Sequence, residues 1–358
     1  MFLRYVLLLT VLAAMVAATP STRDLTMPRY DHIFVIMEEN KDYGQIIGSK
    51  DAPTIGSLAK TYGVATQFFA ETHPSEPNYV ALVGGSTYGI RDDDAFYCHA
   101  DDTRKFCRNA KKPGYPNHTI SGPSLASQLQ SAGLTWKNYN ESLPEAGSLA
   151  VVAADPKASD VPAGLLVYAS KHSGFVNFAS VQNDPDIRNR LVGFDRLWSD
   201  LRSGNVPNFS FIVPNLCNEM HGSQDDDSPE DCRVENMNKL IWRGDSNVKR
   251  IVDAIVASPV WKAPSNSAIV ITFDEDDHGG KSGCCGTDPN DPSNSGGGHI
   301  ATVVVTNHGP RGVVDATPYS HYSLLRTIED AFGIQTHLQH AADPTVVPML
   351  PLFAPTSP

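Results

Sequence analysis

Residues 268–271 form an uninterrupted apolar, β-branched run, and after Thr272-Phe273 the chain meets Asp274-Glu275-Asp276-Asp277-His278, then Gly279-Gly280. A short run with no polar alternation describes a strand buried on both faces, as in parallel sheets covered by helices. Ending such a strand in consecutive carboxylates gathers negative charge where solvation is poor. That is costly unless a cation or partner charge offsets it. In open α/β sheets the carboxyl ends of strands are also where ligands bind. The segment therefore predicts a metal site, with a solvated acidic turn as the alternative.

The same grammar recurs along the chain. Residues 33–37, 135–139, 209–213, 268–273 and 300–306 read as strands, and 124–132, 248–257 and 320–332 read as helices with core-spaced apolar residues. Strands alternating with helices predict an α/β fold: a doubly wound, mainly parallel sheet sandwiched by helices. Two polar stretches, 92–116 and 279–298, interrupt this scaffold as long loops. Loops of that length are usually functional or disordered, and these are expected to wall the active site.

Residues 5–18 are almost wholly apolar after Arg4, and Val16-Ala17-Ala18 offers a small-residue cleavage site, so 1–18 reads as a signal peptide. The run is too short to span a bilayer and no later segment qualifies, which predicts an exported, extracellular chain with no membrane span. Residues 19–358 are expected to form one catalytic domain with its core at about 30–335. The net charge of −12, from 28 basic and 40 acidic residues, argues against nucleic acid as a partner. Six cysteines in an exported chain predict three disulfides. Cys98 and Cys107 would close a local loop, and adjacent Cys284 and Cys285 are each expected to pair with Cys217 or Cys232. Asn117, Asn140 and Asn208 head sequons that would accept glycans in a eukaryotic host.

Polar groups of one kind follow several strands: Glu38-Glu39-Asn40, then Asn215 with Asn218, Glu219 and His221, then Asp274-Glu275, with His321 opening a helix. Carboxylates, amide oxygens and imidazoles are ligands for divalent cations. Thr72-His73-Pro74-Ser75-Glu76-Pro77-Asn78 reads as a helix start, with Ser75 as the cap and Pro77 in the first turn. A serine oxygen there lies among free backbone N–H groups that favour phosphate, and a nearby cation would make it a nucleophile. Glu76, Glu219, Asp276 and Asp277 read as supporting or solvated groups.

The order Glu39-Asn40, His73-Pro74-Ser75-x-Pro77-Asn78-Tyr79, Pro214-Asn215 with His221, Phe273-Asp274-Glu275 and the run from Tyr319 to Glu329 resembles the phosphoesterase family, over about residues 30–334. That family holds secreted acid phosphatases and bacterial phospholipases C within the alkaline-phosphatase-like superfamily. The resemblance implies hydrolysis through a covalent phosphoserine on Ser75. It implies one divalent cation on Glu39, Asn40, Asp274 and Glu275. His221 and His321 match positions that hold a second cation in two-metal relatives, but Asn215 stands where many relatives have aspartate. With one cation, His221 or His321 would protonate the leaving group, and His73, Asn78 and His299 would bind phosphate oxygens.

A small phosphate monoester is the expected substrate. A phosphodiesterase acting on phospholipid head groups is one alternative, and a non-catalytic metal- or phosphate-binding protein is another.

Overall fold

A computed structural model of the protein describes residues 26–155, 157–262 and 264–354. The apolar segment at 5–18 lies outside them. In chain order the strands are β1 His32–Glu38, β2 Gly63–Phe69, β3 Trp136–Asn140, β4 Val152–Ala154, β5 Leu166–Ala169 and β6 Leu191–Val192. They continue with β7 Phe209–Val213, β8 Ser267–Phe273, β9 His299–Thr306, β10 Val313–Asp315 and β11 Tyr319–Ser320. Nine form one sheet in the order β10-β2-β9-β8-β1-β7-β3-β6, with β11 also on β2, while β4 and β5 make a separate hairpin. Every neighbouring pair of the large sheet is parallel except those of β9, which runs antiparallel to β2 and β8.

β1, β7 and β8 occupy the middle, and all of β7 and β8 is buried. Strands covered on both faces need apolar side chains pointing both ways, which explains their lack of alternation. Helices flank the sheet: Pro53–Thr61 packs on Met237–Ala257, and Ser75–Gly84 on His321–Ala331. The first of these partners begins well before residue 248, because the helical face already runs through buried Leu240, Ile241 and Gly244.

The register of the central strands builds the site. Glu38 lies opposite Phe273 in the parallel β1–β8 pair. The next residues, Glu39-Asn40 and Asp274-Glu275, therefore leave the sheet side by side. Backbone Asp274 N donates to Glu38 O at 3.1 Å.

Three expectations are corrected. The disulfides are Cys98–Cys107, Cys217–Cys232 and Cys284–Cys285. Cys217 and Cys232 close one loop after β7, and the adjacent pair bonds within itself, so no bridge joins the loops after β7 and β8. Pro74, not Ser75, occupies the cap position of the helix Ser75–Gly84. Among the sequons, Asn117 is exposed, but Asn140 is buried at the end of β3, where a glycan would not fit.

Both insertions fold against the body. Residues 92–116 enclose a small cluster of Ala95, Cys98, Cys107, Ala110 and Tyr115. The 279–298 loop is stitched to the segment before Ser75 by Gly296 N to Glu71 O at 2.6 Å and Gly297 N to Ala70 O at 2.8 Å. A Cβ on Gly297 would lie 2.4 Å from Thr72 O, so only glycine allows this approach.

Candidate active site

The helix Ser75–Gly84 begins beside the central strand ends, and its first residue points into them. Ser75 Oγ lies 3.0 Å from Glu39 Oε2 and 3.1 Å from Glu275 Oε1. Asn40 closes the ring: its backbone N donates to Asp274 Oδ1 at 2.9 Å, and Nδ2 donates to Glu275 Oε1 at 3.0 Å. Ser75, Glu39, Asp274 and Glu275 are all buried. The structure thus gathers Ser75 with the four residues expected to hold a cation.

Carboxylates crowd this pocket. Burial, then the neighbouring Asp274 and Glu219, push the Glu39 carboxyl well above its ordinary range. Burial also raises Asp274. It lifts Glu275 to about 7, against the lowering effect of the His73 hydrogen bond. Asn40 Oδ1 and Asp274 Oδ2 are buried with no hydrogen-bond partner among the described residues. Free oxygens on an amide and a carboxylate, beside two further carboxylates, form the all-oxygen donor set that suits a hard divalent cation. The residues present fit such an ion.

Two histidines complete the floor. His172, in the short turn Ser170–His172 after β5, lies 3.3 Å from Glu39 Oε1 through Nε2 and 2.8 Å from Glu219 Oε1 through Nδ1. Its ring stacks on Tyr79, one helical turn beyond Ser75, with centroids 5.2 Å apart. Glu39, His172 and His221 bring one ligand atom each within 4.8 Å of one another, a set that could hold a second cation or meet phosphate oxygens. His221 donates through Nδ1 to Gly222 O at 2.8 Å, which leaves Nε2 free. Burial and the Lys171 ammonium hold His221 down at about 4. Burial, then Lys171 and His221, lower His172 further. Lys171 itself stays charged, because Asp93 and Glu39 outweigh its burial.

The remaining expected residues are placed around this centre. His73 pairs through Nδ1 with Glu275 and through Nε2 with Gly280 O at 2.9 Å. Burial alone would lower His73, but Glu275 raises it to about 9. Asn78 Oδ1 accepts from Glu71 N and Thr72 N, and its Nδ2 donates to Thr72 O, so it pins the turn entering the helix. His321 is fully buried between the Glu71 carboxylate at Nδ1 and Phe273 O, 2.8 Å from Nε2. It holds the strand end just before Asp274 and does not reach Ser75.

His299 lies between the rings of Tyr43 and Phe69, with centroids 4.6 and 5.2 Å away, and donates from Nε2 to Thr66 O. Asn215 is spent locally: Oδ1 accepts from Cys217 N and Asn218 N at 3.2 Å each, and Nδ2 donates to Ser142 Oγ. Neither of these two joins the Ser75 cluster.

Sequence reasoning missed Lys171 and His172, and it left Glu219 among the supporting groups. The signal available was the apolar run 165–169 ending in Ser170-Lys171-His172, one more strand end with polar groups. Asp93, from the first insertion, was also missed. It accepts from Glu76 N at 3.0 Å and from Lys171 Nζ at 2.8 Å, fastening the insertion to the start of the Ser75 helix.

Comparison with known proteins follows the same lines. A profile described as the phosphoesterase family matches residues 49–335. A phosphatidylinositol-3-phosphatase of Mycobacterium tuberculosis is 31% identical over 331 residues, covering 92% of this chain and 86% of that protein. A probable acid phosphatase of Kluyveromyces lactis is 25% identical, covering 90% of this chain and 63% of its own length. The phosphate-repressible acid phosphatase of Penicillium chrysogenum is 23% identical, at 85% and 60%. The chain thus spans about three-fifths of these two fungal relatives. In fold it is similar to a protein in the alkaline phosphatase superfamily from Vibrio parahaemolyticus, with a TM-score of 0.52, 11% identity, and coverage of 93% and 72%. The match across most of the chain, joined to the strand-end cluster around Ser75, makes this chain a member of the phosphoesterase family, hydrolases acting on phosphoric ester bonds.

Proposed function

We propose that the protein is a secreted, metal-dependent phosphoric monoester hydrolase working through a phosphoserine on Ser75. The observation that carries the reading is the Ser75 hydroxyl, held within 3.1 Å of two carboxylates in a buried cluster with free oxygens on Asn40 and Asp274. Glu39, Asn40, Asp274 and Glu275 would hold one divalent cation, whose charge lowers the pKa of the Ser75 hydroxyl and offsets that of the phosphoryl group.

In the first step Ser75 Oγ bonds to phosphorus as the bond from phosphorus to the alcohol oxygen breaks. The hydroxyl proton passes to the carboxylate oxygens it already touches. His221 Nε2, the ring nitrogen left free by Gly222, gives its proton to the departing alkoxide. In the second step the neutral imidazole takes a proton from water as that water attacks the phosphoserine. Phosphate leaves and Ser75 is restored. Lys171 faces the same floor and supplies positive charge for the equatorial oxygens, and His172 holds Glu39 and Glu219 in place. His73, Asn78 and His321 act by holding Glu275, the Ser75 turn and the Phe273 carbonyl in place.

Three disulfides and the apolar residues 5–18 support export. No helix among the described residues is long and apolar enough to cross a membrane.

The test is Ser75→Ala, assayed on p-nitrophenyl phosphate with folding checked by circular dichroism. Phosphate release should vanish while the fold persists; substantial turnover in the variant rules out the covalent route. Bis-p-nitrophenyl phosphate and phosphatidylcholine, run beside the monoester, should be poor substrates. A preference for either would move the reading to a phosphodiesterase.

A further inference from the structure

A cavity of about 330 Å³ lies between the 92–116 insertion and the β4–β5 hairpin. Lys171 and Asp93 both line it. They are the pair fastened to the start of the Ser75 helix through Glu76 N, so the cavity and the candidate active site share the Asp93–Lys171 pair. A larger cavity, about 530 Å³, lies between residues 123–132 and 334–339 and contains no residue of the site.

The lining joins an apolar wall to charged groups, among them Asp94, whose carboxylate is taken up by Asn109 and Tyr115. Phe106, Val151 and Val152 give an apolar wall. Arg108 is exposed, and its guanidinium has no hydrogen-bond or ion-pair partner among the described residues. Lys171 is paired with Asp93 and assigned to the phosphoryl oxygens, so Arg108 is the lining cation left to meet a second anion on the alcohol. A small-molecule site of roughly 300 Å³ suits a single ring with substituents. A free guanidinium presents a planar fork that matches a carboxylate or phosphate.

The geometry points to this cavity as the seat of the substrate's alcohol portion, and to a preferred substrate class: phosphate monoesters whose alcohol carries an aromatic or apolar body and a second anionic group. The inference rests on the monoesterase reading above and adds to it the identity of the alcohol.

The experiment compares kcat/KM for 4-carboxyphenyl phosphate and phenyl phosphate, which differ by one anion on the same ring. The wild-type ratio should exceed one by about fivefold, a typical gain for a charge-assisted pair at a partly exposed site. Arg108→Gln should bring the ratio close to one, Arg108→Lys should keep part of the preference, and Arg108→Glu should push it below one. Hydrolysis of both esters with a ratio that Arg108 variants do not change overturns the inference and leaves the monoesterase reading standing. An equal fall on both esters marks a structural effect and overturns it too. Failure of the wild type to hydrolyse either ester overturns both readings together.

Discussion

At Glu39 two requirements pull in opposite directions. Its carboxylate is buried, 3.0 Å from Ser75 Oγ, and faces Asp274 and Glu219. Chemistry at Ser75 needs that charge, but without a cation the fold bears its repulsion. Glu39→Gln should therefore raise the melting temperature of the metal-free protein by about 1–2 °C, equivalent to about 1 kcal/mol at this size. The same change should cut phosphate release on the order of 100-fold. Adding Mg²⁺ or Mn²⁺ to chelated protein should raise the wild-type melting temperature and move the variant's little, as thermal melts would read directly. A variant that melts lower than wild type in chelator would refute the repulsion argument.

His221 gives a second prediction at this scale. Held down at about 4, it carries its proton in a growing share as pH falls from 7 to 5. The wild type should therefore gain kcat/KM on phenyl phosphate, a poor leaving group, toward acid pH. His221→Gln should flatten that limb more on phenyl than on p-nitrophenyl phosphate, whose leaving group needs no proton. Equal flattening on both would remove His221 from the role.

Glu39, Asn40, Asp274 and Glu275 could be read from sequence because each directly follows an apolar run, so strand geometry fixes where they emerge. Lys171 and His172 follow a hairpin strand outside the main sheet, where sequence gives no such anchor. His321 and Asn78 were readable as polar groups near the site, but not as groups turned toward Glu71 and the 71–74 turn.

Helix packing adds a titrating contact far from the catalytic cluster. Glu329, on the helix His321–Ala331, is buried and accepts from Leu338 N at 2.9 Å through Oε1. Its Oε2 and the neighbouring Gln128 Oε1, on the helix Leu125–Ser131, both lack partners among the described residues. Burial raises its carboxyl to about 8, against the lowering effect of the Leu338 N–H and of Gln128. Between the unfolded value of 4.5 and the folded value the native state binds the extra proton. Stability therefore falls as pH rises across that window, by up to about 1.4 kcal/mol per pH unit for this group. Glu329→Gln keeps the shape and removes the titration. Urea unfolding at pH 5.5 and 7.5 should show a smaller difference in the variant than in the wild type, by on the order of 1–2 kcal/mol. An unchanged difference would mean the carboxyl is ionised in the fold.

Elements with strong periodicity, such as the helices at 125–131 and 321–331 and the strands β1, β7 and β8, could be read to within a residue or two. The antiparallel direction of β9 could not, because a strand buried on both faces has the same composition in either direction. β2 escaped notice because Thr66 and Gln67 break its apolar run, and its register shifts between Ala65 and Phe68. The cysteine pairing was misjudged for a similar reason: spacing cannot reveal that the chain after β8 folds toward Glu71 and away from the loop after β7.

Across the whole molecule, charge and function oppose one another. The chain carries −12, while the substrate of the proposed reaction is a phosphate dianion. The long-range field therefore repels what the site must bind, and Lys171, His73, the exposed Arg108 and a bound cation oppose it locally. Screening length separates the two scales. At about 10 mM salt it is roughly 30 Å, so the whole surface acts on an approaching ester; at about 150 mM it shrinks to roughly 8 Å, and the local cations dominate. Raising NaCl over that range, with divalent cation held saturating, should increase kcat/KM for p-nitrophenyl phosphate about two- to threefold and leave kcat nearly constant. Steady-state kinetics at five or six salt concentrations would read this, since repulsion acts on encounter and not on the bound ester. A decline in kcat/KM with salt would instead mean that local cations govern capture even at low ionic strength. Neutralising Arg108 should then shrink that salt dependence, because much of the attraction would come from that one exposed guanidinium.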